Sequence, residues 1–257
     1  LAGLPTIIKK LVVDAKLLVG GERHLQLMPK RNGQVRLRWD KNFSDVFPSI
    51  KNAKSKDKIV ILATGDPLCY GIAELLIKRF NSKNIKIIPN TNAFSLAAAR
   101  LHWGLSDPMV RLISVHSQPF SAINAEIFDG HRLLILSKGG KTPTELARLL
   151  TSRGFGKSRV SVLEHMGGAN ERRTDGIAHD DWNIYDFSNL NVVAVWCKKA
   201  READQWPLVP GLPEKAYSHN GKITKREIRA ITLSALAPMP GETLWDIGSG
   251  SGSIAIE

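Results

Sequence analysis

Two short stretches of this chain set glycines beside an acidic residue directly after an apolar run. They are ATGDPLCYG at 63–71 and WDIGSGSGS at 245–253. In the first, Gly65 has no Cβ, so its backbone can approach a ligand closely or adopt a positive φ. Asp66 and Pro67 then fix a turn. The preceding KIVILA at 58–63 reads as a strand buried on both faces, and open α/β sheets bind ligands at the carboxyl ends of such strands. An ordinary strand-to-helix turn with Asp66 as a local cap accounts for the same residues. In the second stretch Asp246, Gly248, Gly250 and Gly252 follow GxGxG spacing. A dinucleotide fingerprint requires GxGxxG, and Ser253 stands where its third glycine would be.

The elements that carry these turns alternate strand and helix. Ile72, Leu75, Leu76 and Phe80 recur at helical spacing, NIKIIP at 84–89 reads as a strand, and 93–101 as an alanine-rich helix ending near Gly104. Further strands are expected at 110–115, 132–136, 159–163 and 192–197. Thr142, Pro143 and Glu145 supply an N-cap, an N1 proline and an N3 glutamate for a helix that stops near Gly154. This alternation predicts an α/β fold with a mainly parallel sheet. Four residues of 207–213 are Pro207, Pro210, Gly211 and Pro213, which read as a linker. A helix capped by Thr224 and Glu227 follows, then a closing strand before the second glycine turn.

A chain of 257 residues with 43% hydrophobic content buries a sizeable core without disulfides or metal. No apolar run approaches the roughly 20 residues of a membrane helix. Cys69 and Cys197 form no CxxC pair, which predicts reduced thiols, no structural zinc and a cytoplasmic location. The net charge of +12 has three readings: nucleic-acid binding, a solvated edge at Lys51, Lys54, Lys56 and Lys58, or a polyanionic small molecule. Repeated interleaving of aromatic and basic residues, which would stack bases, is missing. Charge alone does not choose among these.

GDPLCYG resembles the GDPxxYG signature of the tetrapyrrole methylases, which bind S-adenosylmethionine in a cleft between two α/β lobes. The resemblance implies that Gly65, Asp66, Pro67, Tyr70 and Gly71 contact the cofactor. Cys69 stands where an aromatic is more usual and reads as a small packing residue. NAFSLAAARLHWGLSD at 92–107 is similar to the family's next cofactor-lining segment, with Phe94 and Ser95 at its helix start. GGERHL at 20–25, SVHSQP at 114–119 and VLEHMGGANERR at 162–173 resemble one branch, the decarboxylating precorrin C5,15-methyltransferases of cobalamin biosynthesis. That branch joins a unit methylating C5 of the corrinoid ring to one that methylates C15 and removes an acetate carboxyl group.

The branch implies a polycarboxylate tetrapyrrole as partner, with Arg23, His24 and His116 facing its acidic arms. Surface charge and a strand-end cap are the plainer readings of those three residues. It also implies a homo-oligomer with no nucleic-acid, membrane or metal partner. GKITKRE at 221–227 together with the GxGxG turn resembles the start of the second, Rossmann-like methyltransferase unit. The expected organisation is a tetrapyrrole methylase domain at 1–203, a linker at 204–220 and an incomplete second unit at 221–257. Thr224, Asp246, Gly248, Gly250 and Gly252 would then be an incomplete second site that holds no cofactor in this chain. Two departures stand out. Nothing before Leu1 supplies the family's first glycine-rich loop, and SVHSQP has Ser117 and Gln118 where a glycine and an arginine usually follow the histidine. A same-fold methyltransferase of RNA or a translation factor, and a non-catalytic corrinoid or nucleotide binder, are the competing expectations.

Overall fold

The computed structural model describes residues 5–39, 43–53 and 57–257, with no side-chain description for 43–45. Lys54 and Lys56 of the expected lysine edge lie outside the described residues. The first lobe is a three-stranded parallel sheet of β1 (Leu17–Gly20), β2 (Val35–Arg38) and β3 (Ile59–Ile61), in the order β2-β1-β3. Helices α1 (Thr6–Asp14), α2 (Glu22–Gln26), α3 (Phe43–Lys51) and α4 (Ala73–Arg79) belong to it. Leu17 and Val19 of β1 face one apolar cluster and Leu18 the other, so this four-residue strand is buried on both sides.

The second lobe is a five-stranded sheet of β4 (Val110–Ser114), β5 (Arg132–Leu136), β6 (Arg159–Glu164), β7 (Arg172–Ile177) and β8 (Asn191–Trp196), in the order β4-β5-β8-β6-β7. Helix α5 (Ala93–Leu101) packs on one face, and α6 (Thr142–Ser152) packs on the other. Leu133, Ile135, Val193 and Val195 point into the core beneath α6, whereas Leu134, Val192 and Ala194 point toward α5. Burial on both faces therefore produces the unbroken apolar strands. Only β4 and β5 pair in parallel here; the β5–β8, β8–β6 and β6–β7 pairs are antiparallel. The expected mainly parallel sheet is thus confined to the first lobe, because two-sided apolar runs do not encode strand direction.

Other expectations shift locally. Residues 84–89 join no strand; Ser82–Asn84 is a single 3-10 turn, and the extended segment after it has no ladder partner among the described residues. Helix α5 spans the expected 93–101 and is closed by His102, which adopts φ 54°. Thr142 lies inside α6 with Lys141 as N-cap, and its hydroxyl accepts from the Lys138 amide at 3.2 Å. The hairpin strand β7 and the short strands β1 and β2 were not among the expected strands.

Beyond β8 the chain forms α7 (Arg226–Leu236) and the short α8 (Ser253–Ile256). Lys225 rather than Thr224 stands at the N-cap of α7, with no side-chain cap bond, and the Thr224 carbonyl accepts from the Arg229 guanidinium. Residues 244–247 pair with no strand, and Leu244, Trp245 and Ile247 are 45, 79 and 88% exposed. Among the described residues no helix is long and apolar enough to cross a membrane. Both cysteines are free: Cys197 is buried and Cys69 half-buried against the α5 cluster, the packing role expected of it.

Candidate active site at the lobe junction

The loop of residues 62–72 leaves the carboxyl end of β3 and crosses to the second lobe. Its shape comes from its own residues. Oδ1 of Asp66 accepts the Leu68 amide at 2.9 Å, the Asp66 carbonyl accepts the Cys69 amide at 3.1 Å, and the Pro67 carbonyl accepts the Ala73 amide at 3.0 Å. This last bond starts α4. A Cβ on Gly71 would lie 2.4 Å from the Pro67 carbonyl oxygen, so only glycine lets the loop close. Gly65 sits at φ +61°, and a Cβ there would lie 2.9 Å from Cα of Asn92. Gly65 is therefore pressed against the residue that caps α5: the Asn92 side chain accepts the Ser95 amide at 2.9 Å.

These contacts gather Gly65, Asp66, Pro67, Tyr70, Gly71, Phe94 and Ser95 into one neighbourhood. Tyr70, at φ 52°, sets its ring edge-on to buried Phe94 with centroids 5.9 Å apart, and its hydroxyl donates to the Leu112 carbonyl of β4 at 3.2 Å. One face of Asp66 is thus occupied in its own turn. No hydrogen bond is seen to the backbone N–H groups of Thr64, Gly65 or Asp66 among the described residues, which leaves three donors at this strand edge.

The remaining candidates fall on neighbouring edges. Arg23 and His24 lie on α2, just past the carboxyl end of β1, with Arg23 exposed and His24 half-buried. His24 Nε2 lies 2.9 Å from Oγ1 of Thr64. Burial, and secondarily the charge of Arg23, lowers the pKa of His24, favouring the neutral ring. Glu22 forms a two-pronged pair with Arg38 at the end of β2, both contacts at 2.8 Å. His116 is exposed in the turn after β4. Thr64 and Asn92 were not singled out from sequence. The legible signal for Asn92 was its place three residues before Ser95 at a helix start, the N-cap pattern.

The β6–β7 loop borders the same junction. Glu164, 1% exposed, accepts from Arg172 at 2.6 and 3.0 Å and from the Ser188 amide at 2.7 Å. Burial alone would raise its pKa, but those donors outweigh it and hold the carboxyl below the usual range. A further depression lies elsewhere, at the amino ends of β1 and β2. It is about 830 Å³, wide open, and lined by Asp14, Lys16, Lys30 and Arg31 among others. We place the candidate site at the lobe junction because carboxyl strand ends and free backbone donors meet there.

The second glycine turn is separate from this site. Thr224 lies just before α7, and Gly248, Gly250 and Gly252 all take positive φ, at 76, 56 and 69°. One carboxylate oxygen of Asp246 is buried without a partner. The turn leads into α8, and Glu257 beyond it accepts from the amides of Gly211 at 2.5 Å and Leu212 at 3.1 Å, from Arg229 at 2.8 Å and from the Tyr217 hydroxyl. The side chains of Arg229 and Glu257 are 0 and 1% exposed.

This two-lobed fold with a glycine-bearing loop at its junction belongs to the tetrapyrrole (corrin/porphyrin) methylases, whose family pattern matches residues 4–178. A precorrin methyltransferase domain pattern matches residues 215–257. A precorrin-6Y C(5,15)-methyltransferase [decarboxylating] from Sinorhizobium sp. is 42% identical over 258 residues, which cover 100% of this chain and 61% of that protein. The chain therefore spans about three fifths of the length of such relatives. A cobalt-precorrin-7 C(5)-methyltransferase from Salmonella typhimurium is 31% identical over 62% of this chain and 76% of its own length. Among solved structures, a precorrin-6Y methylase of cobalamin biosynthesis from Archaeoglobus fulgidus is 25% identical with a TM-score of 0.55, covering 77% of this chain and 93% of that one.

Proposed function

We propose that residues 1–203 form an S-adenosylmethionine-dependent C-methyltransferase that methylates C5 of a corrin precursor in cobalamin biosynthesis, within the conversion of precorrin-6B through precorrin-7 to precorrin-8X. In this reading 204–220 connect to 221–257, the opening of a Rossmann-like unit whose relatives methylate C15 with decarboxylation. The observation that carries the reading is the junction of loop 62–72 with the N-terminus of α5. There Gly65, Asp66, Pro67, Tyr70, Gly71, Phe94 and Ser95 converge, and the amides of Thr64, Gly65 and Asp66 make no bond within the described chain. Such a row of donors fits the carboxylate and amino-acid end of the cofactor.

When bound, the cofactor supplies a methyl group on a positively charged sulfur. The chain's part is positional. An in-line displacement by an electron-rich ring carbon needs alignment and exclusion of competing poses more than a strong base. No acid or base is assigned accordingly. Tyr70, backed by buried Phe94, forms the apolar wall on the α5 side, and Arg23, His24 and His116 are the substrate-side candidates for acetate and propionate groups. A basic cleft suits such a polycarboxylate, and the net charge of +12 agrees with it.

The test is incubation with methyl-labelled S-adenosylmethionine and precorrin-7, beside an active full-length relative. Label in the corrinoid supports the reading; none beside an active control counts against it. The site assignment is tested separately by cofactor titration. Binding is expected to vanish in the Gly65→Val, Asp66→Ala double variant and to survive deletion of residues 206–257. The reverse pattern would move the site to the second glycine turn.

A further inference from the structure

We infer that His24 is a positioning residue for the cofactor loop, holding Thr64 so that the amides of Thr64, Gly65 and Asp66 stay aligned for the cofactor. The inference rests on the cofactor-site reading above and goes beyond it, since that reading leaves His24 on the substrate side.

Three observations carry it. First, His24 Nε2 and Thr64 Oγ1 are 2.9 Å apart across forty residues of chain, within hydrogen-bond distance. This bond joins α2 to the residue just before Gly65. Second, Gly20 makes room at the exit of β3. A Cβ there would meet Leu62 Cβ at 3.2 Å, tighter than ordinary packing. The missing side chain lets the start of α2 lie directly against the exit of β3. Third, around Gly65 the loop is held on its other side by packing against Asn92, its hydrogen bond to the second lobe lying five residues on, from the Tyr70 hydroxyl to the Leu112 carbonyl. With no hydrogen bond seen to the Thr64, Gly65 or Asp66 amides, the described side-chain tie on this flank is the one from His24. A half-buried ring whose Nε2 is engaged by a hydroxyl is poorly placed to reach a carboxylate of the corrinoid as well.

The tie works with a neutral ring in either tautomer, because a hydroxyl both donates and accepts. A glutamine amide provides the same two capabilities, whereas alanine provides neither. Losing one hydrogen bond that aligns a ligand-binding loop is expected to weaken cofactor binding about tenfold, ~1.4 kcal/mol.

The experiment uses the whole chain with S-adenosylhomocysteine as calorimetric probe and precorrin-7 as methyl acceptor. His24→Ala and Thr64→Val are each expected to raise the dissociation constant about tenfold and the cofactor KM in step, with kcat and the corrinoid KM changed by less than about twofold. His24→Gln should recover most of the affinity. The double variant should be no worse than either single one, as expected of two residues acting through one contact. Amide exchange at 63–71 in the ligand-free protein should quicken in both single variants. Unchanged exchange, unchanged affinity, additive losses, or a defect confined to the corrinoid KM would each overturn the inference. Thr64 is exposed, so Thr64→Val keeps the test open if His24→Ala fails to fold. Failure of the unaltered chain to bind the probe would instead overturn the cofactor-site reading, and this inference with it.

Discussion

Arg100 and Glu171 show how one ion pair can hold a site's border. The Arg100 guanidinium on α5 donates to both Glu171 oxygens at 2.7 and 2.9 Å, and the Gly167 amide adds a third bond at 2.7 Å. Bonding from Arg100, then from Gly167, holds the Glu171 carboxyl at about 2, against 4.5 for a free glutamate. A carboxyl whose folded pKa lies below its unfolded one contributes stability above the unfolded value and loses it as pH falls through the folded one. Glu171→Gln is therefore expected to lower the urea midpoint at pH 7. The difference from the parent should shrink between about pH 4.5 and 2. A difference that ignores pH would refute this account. The thiols belong to this scale too. Burial, with Asp129 nearby, pushes Cys197 up to about 12, so it should stay inert to thiol reagents until the lobe unfolds.

Helix α5 is the element on which site and core depend together. Its Asn92 cap touches Gly65, while Phe94, Ala97 and Ala98 are buried against β4, β5, β6 and β8. The polar end thus faces the junction and the apolar flank holds it in place. Phe94 is 1% exposed, and Phe94→Ala should cost about 3–5 kcal/mol in denaturant unfolding, the usual cost of deleting a buried phenyl ring. The loss of Tyr70's ring partner should also weaken cofactor binding at temperatures where the variant remains folded. Full stability with unchanged binding would show that the α5 packing described here is not what anchors the loop. A shorter reach is expected of Gly71→Ala, whose added carbon meets a carbonyl at 2.4 Å and so disturbs the loop before the core.

Across the whole molecule, the segment from Gly211 to Glu257 is stitched by one buried pair. Burial alone would raise the Glu257 pKa, but bonds from Tyr217, Gly211 and Arg229 overcome it and keep the carboxylate charged. Arg229 also donates to the carbonyls of Leu212 and Thr224. The proline-rich stretch is thereby drawn toward α7 and α8. Removing one partner of a buried pair typically costs 3–5 kcal/mol. Arg229→Met is expected to speed amide exchange throughout 211–257 while leaving β4, β5 and β6 protected, since the Lys215–Asp204 pair that reaches back along the chain toward β8 is exposed. Loss of protection in those strands would mean that the two regions fold as one.

Sequence by itself determined the strand–helix alternation, the two glycine turns, the linker-like prolines and the family, because burial leaves periodic apolar residues and tight turns demand glycine. It located strands at 110–115, 132–136, 159–163 and 192–197 close to their observed bounds. It could not supply strand direction in the second lobe, since a two-sided apolar run looks the same parallel or antiparallel. Nor could it find four-residue β1, whose burial comes from clusters on both sides. Within the candidate site, Gly65, Asp66 and Pro67 were legible through the resemblance of GDPLCYG to the family signature, since local spacing alone fits an ordinary turn equally well. The pairing of His24 with Thr64, and the pressing of Gly65 onto Asn92, were decided only by the tertiary structure. Contacts between residues far apart in the chain leave no local periodicity, and only the packing of β1, β3 and α5 brings them within bonding distance.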